Sequence, residues 1–183
     1  MFMTEPNLTK RFQVRIADAI DAEDITVLIN SAFRPAEGFF VEGDRIKVTE
    51  VIDYLSTGKF LLTEEDNTLV GCVYIEPRGE RAYLGLLSVD PSCQQSGAGS
   101  LLMDAAERHC SSLACRFMDI KMVNLRKDLT GFYQKRGYVE TGTSQFPAHI
   151  ATKEPCYFID MSKPLGTATP EEWDVHSPGH MKP

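Results

Sequence analysis

Short segments in which apolar and polar residues alternate recur along this chain and predict the strands of a mixed α/β fold. In residues 13–17, Val14 and Ile16 alternate with Gln13 and Arg15, which is the period-two pattern of a half-buried strand. The same criteria, with turn residues between the segments, predict further strands at residues 59–63, 69–76, 82–89, 117–123, 138–141 and 156–161.

Apolar residues at helical spacing predict helices between these strands. We expect the first helix to be capped by Asp18 or Asp21 and to end at Arg34-Pro35, because the residue before a proline avoids helical geometry. Its apolar face carries Ala22, Ile25, Ile29, Ala32 and Phe33. Further helices are predicted at residues 49–55, 97–110 and 128–135.

The most apolar predicted strand covers residues 82–89. Leu84, Leu86, Leu87 and Val89 form a nearly continuous apolar run, which favours burial on both faces and a central position in the sheet. Gly85 inside the run predicts a bulge or the close approach of a ligand backbone. The order of elements predicts a mixed sheet with a helix crossover in its middle.

Length and composition narrow the class of protein. The chain has 183 residues, a formal net charge of -7 and 43% hydrophobic residues, which is ordinary for one soluble domain. We expect a single domain over residues 1–165 and a tail or docking arm over residues 166–183, which contain Trp173. A general nucleic-acid binder needs a basic surface to neutralise phosphates. We therefore predict no nucleic-acid partner.

Targeting and metal signals are absent from the sequence pattern. No apolar run approaches the roughly 20 residues that cross a bilayer, and the first residues lack the pattern of a signal peptide. We predict a cytoplasmic protein without a membrane partner. The cysteines at positions 72, 93, 110, 115 and 156 show no metal-ligand spacing. We expect core-filling thiols and no metal.

The segment that indicates chemistry is the loop after the central strand. A strand that ends at Asp90-Pro91 is followed by Gly97 and Gly99 at the start of a helix. Glycines let a ligand approach the backbone closely, and the first helical turn offers unpaired N–H groups at its positive end. A pyrophosphate is a natural occupant of such a site. No Gly-Lys-Ser/Thr follows, and Leu102 replaces the third glycine of a dinucleotide loop.

Two motifs together resemble the GNAT superfamily of N-acetyltransferases. The string Gln94-Gln95-Ser96-Gly97-Ala98-Gly99 is similar to that family's Gln/Arg-x-x-Gly-x-Gly/Ala loop. The later string from Phe132 to Tyr138, FYQKRGY, resembles its Tyr-x-x-x-Gly-aromatic helix end. The resemblance covers residues 13–162 and implies a GNAT-like α/β fold: a mixed, mostly antiparallel sheet with splayed central strands and flanking helices.

The resemblance implies that acetyl-CoA is the cosubstrate and that its pyrophosphate lies on the loop and helix start, which are Gln94, Gln95, Ser96, Gly97, Ala98, Gly99 and Ser100. Leu87, Ser88 and Val89 are implied to run beside the pantetheine arm. The thioester would enter between splayed strands, with Gly85 and Asn124 flanking the opening. Arg126 stands where many family members have asparagine, so Asn124 and Arg126 are further candidate cofactor contacts.

Tyr133 stands at the position of the family's usual general acid. A phenol within hydrogen-bond reach can protonate the thiolate that leaves when an amine attacks a thioester. The base is less clear from the residues. Glu76 is the first candidate and His149 the second, and deprotonation of the amine through water needs neither of them.

The acceptor is implied to bind near residues 33–44 and 143–155. The candidate acceptor residues are Phe39, Phe40, Glu42, Phe146 and His149, although both phenylalanines at 39–40 could instead close the core. Acids in these regions, which also include Glu37, Asp44 and Glu154, favour a cationic substrate. We predict an N-acetyltransferase that acts on a small amine by direct attack. We expect that the protein can form a homodimer. The alternative is a non-catalytic CoA-binding module of the same fold.

Overall fold

The computed structural model describes residues 12–166, and these form one seven-stranded sheet with helices on both sides. The strands are β1 (Gln13–Ile16), β2 (Lys59–Glu65), β3 (Thr68–Arg78), β4 (Arg81–Val89), β5 (Phe117–Val123), β6 (Val139–Gln145) and β7 (Tyr157–Pro164). The helices are α1 (Ala22–Glu37), α2 (Val48–Thr57), α3 (Ala98–Ser112) and α4 (Thr130–Lys135). The predicted order of strands and helices is confirmed. The expectations for the tail and for Trp173 fall outside the described residues.

The sheet is mostly antiparallel, with the strand order β1-β2-β3-β4-β5-β7-β6. Only β4 and β5 pair in parallel, because α3 carries the chain back between them. β4 lies in the middle of the sheet, as its apolar run predicts. No helix among residues 12–166 is long and apolar enough to cross a membrane.

Two clusters of buried side chains cover the two faces of the sheet. One contains Leu102, Met103 and Ala106 of α3 and packs against β3, β4 and β5. The other contains Ile25 and Ile29 of α1 and packs against β2 and β3.

The prediction that Arg34-Pro35 ends the first helix is wrong, because α1 continues to Glu37 with Pro35 inside it. Proline costs the helix one N–H donor, but the next hydrogen bond forms from the Gly38 N–H to the Arg34 carbonyl at 3.0 Å. The added turn buries Glu37 and leads Phe40 into the core. Packing outweighs the local preference of the residue before proline.

The bulge expected near Gly85 occurs one residue later. Val73 of β3 faces both Leu86 and Leu87, because Cys72 pairs with Ser88 and Tyr74 pairs with Gly85. Leu86 has a φ of 51°, in the left-handed region. Such a bulge bends the strand and re-aims its side chains. It lies where β4 leaves β5.

Candidate active site

A gap between β4 and β5 forms the centre of the candidate site. These strands pair from Arg81 opposite Phe117 to Leu84 opposite Ile120, and no further pair follows within the described residues. β5 remains paired to β7 along its whole length. The strands therefore splay from Gly85 onward. A cavity of about 910 Å³ occupies the gap, which is within the usual range for small-molecule sites.

One end of the cavity is the loop that enters α3. Gln94, Gln95, Gly97, Gly99 and Ser100 line it. Gly97 is the cap of α3, with a φ of 92° that favours glycine. Within residues 12–166, the N–H groups of Gln95, Gly97, Gly99 and Ser100 donate to no carbonyl or side chain. This end therefore presents several free donors at a helix N-terminus, which suits an anion.

The free edge of β4 connects this loop to the gap. Ser88 and Val89 pair with β3 on one side, and Leu87, Ser88 and Val89 line the cavity on the other. Backbone groups of residues 85–89 on that side have no strand partner among the described residues. An extended ligand could therefore add to this edge as a strand does.

Tyr133 of α4 lines the cavity and is about nine-tenths buried. Its hydroxyl makes no hydrogen bond within residues 12–166. Burial raises the pKa of Tyr133 to about 12, against a smaller opposing effect of the Arg126 charge. The phenol is therefore protonated at neutral pH and has its proton available to donate.

A second phenol lies across the point where the strands separate. Tyr83 of β4 lines the cavity, and burial raises its pKa to about 12. A Cβ atom on Gly85 would lie only 2.6 Å from the Tyr83 Oη atom. The absence of a side chain at Gly85 thus makes room for the Tyr83 ring.

The other end of the cavity is built from charged side chains. Glu37 at the end of α1 is 4% exposed. Its Oε2 atom lies 3.4 Å from Nε of Arg45, and its Oε1 atom lies 3.9 Å from Nη1 of Arg126. Burial raises the pKa of the Glu37 carboxyl, and the charges of Arg45 and Arg126 counteract part of this effect. We define Glu37, Arg45 and Arg126 as the acceptor-side cluster.

Comparison with known families identifies the family of this chain. The family model of the acetyltransferase (GNAT) domain matches residues 37–163, which is more than half of the chain. The chain belongs to the GNAT acetyltransferase family. No curated protein matches it.

Solved GNAT structures share the architecture at low sequence identity. The ribosomal-protein-S18-alanine N-acetyltransferase from Escherichia coli is 12% identical, with a TM-score of 0.70 over 87% of this chain and 97% of that one. The protein yncA from Salmonella typhimurium, solved with its cofactor acetyl-CoA, is 14% identical, with a TM-score of 0.67 over 87% of this chain and 96% of that one. PaiA N-acetyltransferase from Thermoplasma acidophilum, in complex with coenzyme A, is 16% identical, with a TM-score of 0.66 over 84% and 98%.

Not every residue that the GNAT motifs single out reaches the cavity wall. Ser96 and Ala98 are outside it, and the Ser96 hydroxyl accepts a hydrogen bond from the Ala98 N–H at 3.4 Å. The Asn124 side-chain oxygen accepts from the Tyr157 N–H at 2.9 Å and joins β5 to β7. Among the described residues, the structure thus gives Asn124 and Ser96 roles in shaping the gap and the loop.

Arg126 lines the cavity, but its donors face acids. It donates to both oxygens of Asp128, at 3.0 and 2.8 Å, and its third nitrogen approaches Glu37. Its contacts join it to Asp128 and Glu37, and its expected role as a cofactor contact stays a prediction. Of its two partners, Asp128 is close in sequence, whereas Glu37 comes from the end of α1.

Glu76, the first candidate base, lines the cavity with both oxygens engaged. Arg78 donates to them at 2.7 and 3.0 Å, and the Tyr74 hydroxyl donates at 3.0 Å. The hydrogen bond from Arg78 is the main reason why the pKa of Glu76 is lowered. A carboxylate stabilised in this way is a weaker base.

The candidate acceptor residues separate into two groups. Of residues 12–166, those on the cavity wall include His149, whereas Phe39, Phe40, Glu42 and Phe146 are not among them. Phe40 is fully buried in a cluster with Val41 and Val123, and Phe39 is exposed. Closure of the core is therefore the correct alternative for Phe40. Phe146 packs against Phe158, and the guanidinium of Arg45 lies over its ring.

Several acids in and near the cavity are paired with arginines, and these include Glu37 and Asp44 of the set expected to favour a cationic substrate. Three acids of the cavity wall each face an arginine, in the pairs Glu37–Arg45, Glu76–Arg78 and Asp128–Arg126. Asp44 pairs with Arg34 at 2.6 Å. Arg78 and Arg126 lie two residues from their acids along the chain, whereas Arg45 and Arg34 pair with acids of a neighbouring segment. No group of three His, Cys, Asp or Glu residues among the described residues could hold a metal ion.

Proposed function

We propose that this protein is an acetyl-CoA-dependent N-acetyltransferase that transfers an acetyl group to a small amine by direct attack. The observation that carries the proposal is a single cavity. It joins the free N–H groups of the Gly97 loop, the unpaired edge of β4 and the unbonded phenol of Tyr133. An anion, an extended chain and a leaving group can therefore each contact a different part of the cavity wall.

The two ends of acetyl-CoA suit the corresponding parts of the cavity. The N–H groups of Gln95, Gly97, Gly99 and Ser100 would bind the pyrophosphate at the positive end of α3. The edge at Leu87, Ser88 and Val89 would pair with the amides of the pantetheine arm. The thioester would then lie in the gap next to Gly85.

Tyr133 acts as the general acid in this proposal. The amine nitrogen forms a bond to the thioester carbon, the carbon–sulfur bond breaks, and Tyr133 donates its proton to the leaving sulfur. The nitrogen then releases its extra proton to water as the amide forms, and the Tyr133 phenolate takes a proton back from water. Burial of the phenol keeps it protonated at neutral pH. The amine loses its own proton to water before attack, because the oxygens of Glu76 are already held by Arg78 and Tyr74.

Release of free thiol tests the proposal directly. The protein is mixed with acetyl-CoA and a panel of small amines, and thiol formation and acetylated product are measured together. The account predicts equal amounts of both with at least one amine. Binding of CoA by calorimetry without thiol release from any amine would contradict it and would support the non-catalytic CoA-binding module.

A further inference from the structure

Arg45 is the cavity cation whose hydrogen-bonding capacity is least used. It lies between α1 and α2, lines the cavity, and its side chain is 16% exposed. Its guanidinium carbon lies 5.4 Å from the Phe33 ring centre and 5.9 Å from that of Phe146. Two aromatic rings thus hold the planar group, and its N–H groups extend from its edge.

The free donors of Arg45 are its two terminal nitrogens, because Nε lies against Glu37, whereas Nη1 and Nη2 donate to no atom within residues 12–166. Nε is buried and makes no hydrogen bond within residues 12–166, and Oε2 of Glu37, 3.4 Å away, is likewise buried and unbonded. By contrast, Arg78 and Arg126 each donate two hydrogen bonds to one carboxylate. Buried polar groups are almost always hydrogen-bonded. An unfilled arginine fork in a cavity wall therefore points to a ligand.

We propose that the acetyl acceptor is a small amino acid, and that Arg45 binds its carboxylate. A carboxylate accepts two parallel hydrogen bonds from a guanidinium, which an amine or a neutral amide cannot match. Glu37 acts as a positioning residue, because its charge holds the Arg45 group against the two rings. This inference rests on the proposed function and names the substrate class of the same site.

Arg126 connects the acceptor-side cluster with the proposed general acid. Arg126 approaches Glu37 at 3.9 Å, and its charge also acts on the pKa of Tyr133. The acceptor-side cluster therefore lies close to the proposed general acid. A compact molecule can place its carboxylate at Arg45 and its amine at the thioester.

Matched acceptors test the inference on the unmodified protein. Thiol release is measured with free amino acids, with their α-carboxamides and with the corresponding decarboxylated amines at saturating acetyl-CoA. We expect kcat/KM for the best amino acid to exceed that of its amide by about 10- to 100-fold, the value of one charge-assisted pair. Equal rates for acid and amide would overturn the inference. Thiol release from no acceptor would instead contradict the proposed function.

Variants of Arg45 assign the preference to its side chain. Arg45→Met should reduce the ratio between acid and amide to near one, mainly through KM, and Arg45→Lys should restore part of it. Arg34→Met is the matched control, because Arg34 lies on the neighbouring helix but is exposed and outside the main cavity. A preference that persists in Arg45→Met, or that disappears equally in Arg34→Met, would overturn the inference. Weaker CoA binding in Arg45→Met would do so too, because it would place Arg45 on the cofactor.

Discussion

The two ends of the cavity offer different kinds of binding group. The loop at Gly97 offers backbone N–H groups, and its shape depends on a left-handed glycine at a helix start. The acceptor-side cluster offers side chains, and its members come from α1, from the following loop and from the end of β5. A site made of backbone is local in sequence, whereas a site made of charged side chains depends on the whole fold.

On the proposed function, this difference explains how an acidic chain would hold a phosphate. Backbone donors at a helix N-terminus bind an anion without any added cation, so a net charge of -7 is compatible with the loop. At the other end, each buried charge needs a partner, because an unpaired charge in a dry site is costly. The arginines there balance the acids, and one of them retains free donors.

The largest effect is expected where the two ends meet, at Tyr133. Tyr133→Phe removes the proton donor and keeps the ring, so kcat should fall by about 100- to 10,000-fold while the Kd for CoA stays the same. Stopped-flow thiol release and calorimetry measure the two quantities. The exposed Tyr157→Phe serves as the control. An unchanged kcat across pH would show that Tyr133 is not the acid.

A stability effect of the next size is expected at the separation of the strands. Gly85→Ala would bring a methyl group to 2.6 Å from Oη of Tyr83, and such overpacking costs about 1–3 kcal/mol of the free energy of unfolding. Gly142→Ala, with no atom within 4 Å, is the strand control. Urea denaturation measures the free energy of unfolding of both variants. If they were equally stable, the close approach of Tyr83 to Gly85 would be wrong.

The loop end is tested by Gly97→Ala. An alanine at a φ of 92° costs about 1–2 kcal/mol, and a displaced N–H group should weaken CoA about tenfold. Gly79→Ala is matched in strain, with a φ of 70° and no atom near its Cβ. Both variants should lose stability to a similar degree, but only Gly97→Ala should lose CoA affinity. Loss of CoA affinity in both variants would contradict the assignment of the Gly97 loop as the CoA-binding site.

The smallest effect concerns the pH dependence of stability at the two cavity acids. Burial raises the pKa of Glu37, so its contribution to stability is present at low pH and is lost as the pH rises through the folded pKa. Arg78 lowers the pKa of Glu76, so that contribution is present at higher pH and is lost as the pH falls. Relative to the wild type, Glu37→Gln should therefore gain stability as the pH rises from about 4.5, and Glu76→Gln should lose it. Chemical denaturation at several pH values measures both trends. Slopes of the same sign would contradict the account.

The parts that the sequence could predict are those set by neighbours along the chain. The strand predicted at residues 117–123 is β5 and has the predicted bounds, and the glycine loop leads into α3 as its residues indicate. The end of α1 could not be predicted from Pro35, because burial of Glu37 and Phe40 overrides the local preference. The pairing of Glu37 with Arg45 and Arg126 could not be predicted either, because the fold brings these residues together. The local sequence offers only an acid followed by Gly38 and two phenylalanines, which does not identify its partners.

The central claim is that the two ends recognise different ligands independently. It is tested most directly by measuring the Kd for CoA and the KM for the best acceptor in both Gly97→Ala and Arg45→Met. The account predicts that Gly97→Ala raises only the Kd for CoA and that Arg45→Met raises only the KM for the acceptor. A rise of both constants in either variant, with the fold intact by circular dichroism, would contradict it.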